Sequence, residues 1–271
     1  MPHGLRAGYP TFWREIGFGP RNALAVHCSL AHSGALRGLL EPVGDLLTTT
    51  AMDQPGHGQS GHWRGDRPFQ EAMVAILHDF LADADGPIDL IGHSFGGTCA
   101  LRAAAEAPER IRSLTLIEPP IYDALKATNA PEMAMQDALD APFAAAMAAG
   151  NAAEAARLFS GVWGSGVPWE TLSEDQQGDL IRRIHLIEGA GHTLNADVTG
   201  LLQPGGLEAL DLPVLLIRGT VSPPSVPAIL RVLAGRLRRA ETVVIEGAGH
   251  MVPITHAVPV AQAIRAFLAR T

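Results

Sequence analysis

Residues 92–96 read Gly-His-Ser-Phe-Gly, and they lie directly between two runs of opposite character. Pro87-Ile88-Asp89-Leu90-Ile91 is short, apolar and strand-forming, whereas Gly97-Thr98-Cys99-Ala100-Leu101-Arg102-Ala103-Ala104-Ala105 is small and helix-forming. A serine at the apex of a strand-to-helix turn has its hydroxyl held exposed, and glycines two before and two after let the backbone bend without a Cβ clash. The first amides of the helix then point at the same spot and favour negative charge there. Ser94 placed this way is a nucleophile for acyl transfer with part of an oxyanion hole already in place. The competing reading is a glycine-rich turn whose serine only caps the helix.

Such a turn needs a sheet to carry it. Strand-like runs fall at Thr11–Ile16, Ala23–His27, Leu46–Met52, Ile88–Ile91, Ser113–Ile117, Pro213–Arg218 and Glu241–Ile245. Most of the later runs are apolar on both faces, the mark of a parallel sheet covered on each side by helices. Phe69, Met73, Ile76, Leu77, Phe80 and Leu81 recur at helical spacing after Pro68, and Val260, Ile264, Phe267 and Leu268 repeat the pattern at the C-terminus. Alternation of this kind predicts an α/β fold, a mostly parallel twisted sheet with helices on both faces. It breaks from Ile121 to Asp211, an alanine-rich stretch with no clear strand, containing Trp163 and Trp169 near Gly and Pro. The expected division is a core of residues 1–120 and 212–271 with a helical insertion over 121–211. Met133, Met135 and Met147 in that insertion are expected to serve ordinary helix packing.

The chain has 271 residues, 47% hydrophobic and 18% charged, enough apolar material for a packed core. A formal charge of −8 argues against a nucleic-acid groove or an anionic membrane surface. Cys28 and Cys99 are the two cysteines and make no disulfide framework or metal cluster. The first twenty residues, with Arg6, Arg14 and Glu15, lack the apolar core of a secretory signal, and no apolar run approaches a membrane span. A cytoplasmic protein is expected.

Asp53-Gln54-Pro55-Gly56-His57-Gly58-Gln59-Ser60 follows the third core strand. Together with the serine turn, this D-x-x-G-x-G-x-S run makes the chain resemble the α/β-hydrolase family over most of the core. The resemblance implies a structural turn here, with His57 outside the chemistry. It also implies that the loop after the preceding strand begins His-Gly, where this chain reads His27-Cys28-Ser29-Leu30. By position, the N–H of Ser29 is the upstream oxyanion donor, paired with the N–H of Phe95. Cys28 is expected to be a small buried residue and His27 a hydrogen-bonded structural imidazole. Glu246-Gly247-Ala248-Gly249-His250-Met251-Val252-Pro253 follows the last strand, where the resemblance places the general base; the role carries over to His250. His192, in the similar run Glu188-Gly189-Ala190-Gly191-His192, lies inside the insertion and is read as a decoy or a pocket wall.

At the acid the pattern departs from the family. Three residues past Gly219, where the resemblance leads one to expect aspartate, stands Ser222, followed by Pro223-Pro224. A serine cannot hold an imidazolium by charge. In certain haloalkane dehalogenases the acid sits at the end of the neighbouring strand. Leu114-Thr115-Leu116-Ile117-Glu118-Pro119-Pro120 offers Glu118 there, keeping the order Ser94, Glu118, His250. The alternatives are a Ser-His dyad or an inactive site, with Asp123 and Asp211 as weaker acids. On this reading Glu118→Gln cuts turnover by orders of magnitude and Ser222→Ala is nearly silent.

These residues point to a serine hydrolase that forms an acyl-enzyme from a small to medium apolar carboxylic ester or lactone under a helical cap. No metal, nucleotide or flavin cofactor is implied, the partner is a small molecule, and nothing indicates an oligomeric state. Hydrolysis of a C–C bond in a diketone, haloperoxidase-like side activity, and a catalytically weak ligand-binding or signalling homologue remain as alternatives.

Overall fold

Eight strands hydrogen-bond into one sheet in the order β1-β2-β4-β3-β5-β6-β7-β8. The ranges are β1 His3–Arg6, β2 Tyr9–Ile16, β3 Arg21–Val26, β4 Leu47–Met52, β5 Ile88–His93, β6 Ile111–Ile117, β7 Val214–Gly219 and β8 Ala240–Ile245. The structure is a computed structural model describing residues 2–194, 197 and 199–271, without the side chain of His192. β1 pairs antiparallel with β2, and β2 antiparallel with β4; every other pairing is parallel. The sequence order reverses between β3 and β5, so the loops after these two strands diverge and leave a crevice at the carboxyl edge.

Side-chain alternation along the strands builds two separate cores. In β3, Leu24 and Val26 enter one cluster while Ala23 and Ala25 enter the other; in β7, Val214 and Leu216 oppose Leu215 and Ile217 in the same way. Period-two alternation with both faces apolar is what a sheet sandwiched between helices requires. The helices are α1 Arg37–Leu40, α2 Phe69–Asp83, α3 Phe95–Glu106, α4 Asp123–Ala127, α5 Glu132–Ala148, α6 Ala152–Trp163, α7 Glu174–Arg183, α8 His185–Leu194, α9 Ser225–Arg236, α10 Val252–Thr255 and α11 Ala257–Leu268. Helices α2, α3 and α9 cover the first face through residues such as Met73, Cys99 and Ile229. Helices α1 and α11 cover the second through Leu39, Leu40, Val260, Ile264 and Phe267.

Between β6 and β7 lie α4 to α8, with no strand among the described residues. These helices have an apolar cluster of their own in which Ala146, Ala155, Ala156 and Ile184 are buried, and Leu30 from the core reaches into it. Met133 and Met147 pack against apolar clusters, whereas Met135 is half exposed. Among the described residues no helix is long and apolar enough to cross a membrane.

Several strand boundaries differ from those read in the sequence, and two of the differences have a clear physical cause. β1 was not expected: its four residues alternate exposed and half-buried and contain no apolar run, so only the Ala7-Gly8 turn, with both φ angles positive, brings it back against β2. β3 starts two residues early, at Arg21, because the guanidinium forms hydrogen bonds of 2.8 and 2.7 Å with the buried carboxylate of Asp89 on β5. A charged residue can open a buried strand when its partner is supplied from the next one.

Candidate active site

Ser94 follows the last residue of β5 and precedes α3, with φ 54° and ψ −127°. Its N–H donates to the Ile117 carbonyl at 2.8 Å, tying the turn to β6. The flanking glycines are steric necessities. A Cβ on Gly92 would lie 2.5 Å from the Gly96 carbonyl oxygen, and one on Gly96 only 2.4 Å from the His27 oxygen. Phe95 opens α3, so its N–H is one of the first helix amides, which have no carbonyl within the helix to meet.

His250 lies in the loop between β8 and α10. Its Nε2 is 2.9 Å from Ser94 Oγ, and its Nδ1 is 2.9 Å from Glu118 Oε2. With a carboxylate as its neighbour, Nδ1 carries the proton and donates it, leaving Nε2 free to accept from the serine hydroxyl. The Trp163 ring packs T-shaped against His250, centroids 4.7 Å apart at 76°, and the imidazole is buried. His93 donates from Nε2 to the His250 carbonyl oxygen at 2.9 Å and anchors the loop from below. Burial pushes the His93 imidazole down to about 3, so it serves as a neutral strut.

Glu118 follows the last residue of β6, fully buried, with φ 50°. Its second oxygen is held as firmly as the one that meets His250. Oε1 accepts from the Gly219 N–H at 2.7 Å and from the Ser222 hydroxyl. The expectation that Ser222 is a bystander is therefore corrected: the residue standing where a family aspartate would be expected is a hydrogen-bond donor to the carboxylate one strand away. The expected alternatives do not take that place. Asp123 pairs with Lys126 at 3.4 Å, and Asp211 is exposed.

The loop after β3 faces this constellation from the other side of the crevice. Leu30 has φ 62°, and its N–H donates to His57 Nε2 at 2.9 Å. His57 Nδ1 in turn lies 3.0 Å from the Pro55 carbonyl oxygen, so Nδ1 donates and Nε2 accepts. Burial holds His57 well below the ordinary histidine range, and this neutral ring fixes the backbone next to Ser29. His27 does similar work: Nε2 accepts from the Gln54 N–H at 3.1 Å and Nδ1 donates to the Cys28 carbonyl at 2.6 Å, with burial pushing it down to about 4. The buried Cys28 thiol is pushed up to about 12 and is inert as a nucleophile. Asp53 accepts from the Ser33 and Gln59 amides at 2.6 and 2.8 Å, and Ser60 Oγ donates to the Asp53 carbonyl at 2.7 Å, so the D-x-x-G-x-G-x-S run is a braced turn.

Of the five non-glycine residues with positive φ among the described residues, three are Leu30, Ser94 and Glu118. Each such residue stores strain that the surrounding contacts must hold, and the concentration here marks the crevice as the place the fold is bent for.

Ser29, Ser94, Phe95 and His250 line one cavity of about 190 Å³. Its remaining walls come mostly from the insertion, including Tyr122, Asp140, Phe143, Phe159 and Trp163. The methionines of the insertion do not contribute. The side chain of His192 lies outside the described residues. Sequence reasoning missed His93, Ser222, Asp140, Tyr122 and the specific use of Trp163. His93 was visible inside the Gly-His-Ser-Phe-Gly run, but its partner is 157 residues away. Among the described residues no group of three or more His, Cys, Asp or Glu side chains could hold a metal.

Comparison with known proteins extends this picture. A family model described as alpha/beta hydrolase fold matches residues 24–257. Lipase LipV of Mycobacterium tuberculosis is 31% identical over 106 residues, 38% of this chain and 39% of that protein, so the chain spans about two fifths of its length in the match. The pimeloyl-[acyl-carrier protein] methyl ester esterase of Neisseria meningitidis serogroup B is 28% identical over 250 residues, 87% of this chain and 89% of that protein. Among solved structures, a putative lipase of Acinetobacter baumannii superposes with a TM-score of 0.74 at 20% identity, covering 99% of this chain and 90% of the other.

Proposed function

The chain belongs to the α/β-hydrolase fold family, and from that premise we propose that it is a serine hydrolase acting on a small to medium carboxylic ester or lactone through an acyl-enzyme. The observation that carries this reading is the unbroken chain of contacts from Ser94 Oγ through His250 to the Glu118 carboxylate, 2.9 Å at each step. Ser94 attacks the acyl carbonyl while His250 Nε2 accepts its proton. The N–H groups of Phe95 and Ser29 bind the oxyanion, a contribution of about 3–4 kcal/mol for a single donor. Glu118 stabilises the imidazolium, which then protonates the leaving group. Water repeats the sequence on the acyl-enzyme.

We read residues 121–211 as a cap that supplies the walls of the cavity, and the cavity's size sets the substrate class. An apolar cavity of roughly 150 Å³ holds one benzene ring. The volume of about 190 Å³ therefore suits a chain of roughly seven or eight carbons, not a polymer. The reading includes a small-molecule substrate and a cytoplasmic setting, the latter checked by fractionating the source cells.

A fluorophosphonate probe tests the reading directly. Wild-type protein should label on Ser94, the Ser94→Ala variant should not, and p-nitrophenyl esters should be cleaved fastest at short to medium acyl lengths. Well-folded protein that neither labels nor cleaves any ester of the series would refute it and favour a ligand-binding role.

A further inference from the structure

Apart from Ser29, Ser94 and His250 at its floor, the cavity over Ser94 is lined by apolar and aromatic side chains and by two further polar groups, both from the helices between β6 and β7. Asp140, on α5, and Tyr122, just before α4, both line it, alongside aromatic side chains such as Phe143 and Phe159. Among the described residues lining it there is no lysine or arginine. A carboxyl group in such a place is costly without a partner. Burial raises Asp140 above the ordinary aspartate range, against the opposing influence of the nearby Gln136 and Trp163 side chains. Tyr122 is raised well above its ordinary value by burial first and by Asp140 second, so its hydroxyl keeps its proton and can donate.

We infer that Asp140 and Tyr122 form a subsite for a hydroxyl group on the part of the ester that enters the cavity, Asp140 accepting its hydrogen bond and Tyr122 donating one. The inference rests on the hydrolase reading above and narrows its substrate class to hydroxylated esters. The competing chemistries fit the site less well. A substrate carboxylate would meet Asp140 with no lining cation to offset it. An ammonium group would have to shed its water to pair inside an apolar cavity, where the desolvation cost competes with the gain. A plain methylene chain would displace water from Asp140 and return nothing. A hydroxyl satisfies both polar groups without bringing in charge.

The test compares kcat/KM for methyl hexanoate, methyl 3-hydroxyhexanoate, methyl 6-hydroxyhexanoate, methyl 6-aminohexanoate and monomethyl adipate, together with hexyl acetate and 6-hydroxyhexyl acetate for the alcohol side. At least one hydroxylated ester should exceed its plain counterpart about tenfold, methyl 6-aminohexanoate should be slower than every hydroxylated ester, with the reverse order overturning the subsite, and monomethyl adipate should be the poorest substrate. The Asp140→Leu variant should reverse that preference, and the near-isosteric Asp140→Asn should keep part of it. Both variants are checked for folding by circular dichroism. The ratio of two esters on one protein is unmoved by a loss of folded enzyme, so a merely structural role for Asp140 leaves it unchanged. Hydrolysis of plain esters as fast as every hydroxylated partner, or a ratio that Asp140→Leu leaves alone, overturns the subsite while the hydrolase reading stands. Failure to cleave any of these esters, together with no fluorophosphonate labelling of Ser94, overturns both.

Discussion

Replacing Glu118 by glutamine removes one charge and exchanges one oxygen for an amide nitrogen, and the surroundings dictate which oxygen is exchanged. The Oε1 position accepts from the Gly219 N–H and from the Ser222 hydroxyl, so the amide oxygen of a glutamine must take that side. The NH2 group is then forced to the Oε2 side, facing His250 Nδ1 across 2.9 Å. It can only donate, so Nδ1 must become the acceptor and the imidazole proton moves to Nε2. That nitrogen then faces Ser94 Oγ with a proton already on it and cannot take another. The variant loses the negative charge that stabilises the imidazolium and also populates the wrong tautomer. In a triad of this kind, the corresponding exchange of aspartate for asparagine lowers kcat by about 10⁴ while leaving geometry intact. We expect a kcat loss of about 10³–10⁴ for Glu118→Gln, with KM little changed, measured on a p-nitrophenyl ester with active sites counted by fluorophosphonate titration. Folding should survive, because glutamine fills the same volume and retains both donors to its oxygen; the urea midpoint reports this. A loss smaller than about tenfold in folded enzyme would remove Glu118 from the role of stabilising the imidazolium and refute the reasoning.

Ser222→Ala deletes one donor to the same carboxylate and leaves the Gly219 N–H in place, so kcat should fall about tenfold, the lower range for a hydrogen bond to a charged group; wild-type turnover would return Ser222 to the role of bystander. Gly96→Ala places a Cβ 2.4 Å from the His27 oxygen and 2.6 Å from that of Val26, both backbone atoms unable to step aside. It should cost more than about 3 kcal/mol of stability or abolish soluble expression, and a thermal midpoint within two degrees of wild type would contradict the close approach. Acid should destabilise the fold before it reaches the carboxylates. His27 titrates near 4, His93 near 3 and His57 well below normal, so each is neutral when folded and binds a proton at about 6.5 once unfolded. The unfolded state therefore holds more protons below about 6.5. Stability is full above that pH and falls as pH drops towards 4, by about 1.4 kcal/mol per pH unit for each of the three rings. A urea midpoint unchanged between pH 7.5 and 5 would mean that these imidazoles are not buried neutral.

The sequence made the sheet legible where both faces of a strand are apolar, as in β7, the pattern a strand buried between two layers of helices requires. It was silent on β1, whose residues His3 to Arg6 have no buried face and are held by a turn. Ser94 announced itself because its turn needs glycines at fixed offsets. Glu118 was findable as the carboxylate that ends an apolar run beside it. Ser222, by contrast, could be read only as a missing acid: hydrogen bonding to a residue 104 positions earlier depends on how β6 and β7 align, which no local pattern encodes. Asp140 was hidden for a related reason. On an alanine-rich helix with exposed neighbours it reads as ordinary solvated charge, and only the packing of α5 over the crevice turns it inward.

Leu30 belongs to two bodies at once. Its amide hangs from an imidazole of the sheet domain, while its side chain is buried among Ala146, Ala155 and Ile184 of the helices above. Whatever lifts or tilts those helices must therefore pull on the peptide adjoining Ser29. On the proposed mechanism, a ligand that seats those helices against the core would also set the Ser29 amide, and one that holds them apart would disturb it. Selectivity in such an arrangement need not come from the walls alone; a poor fit overhead is felt as slow chemistry below.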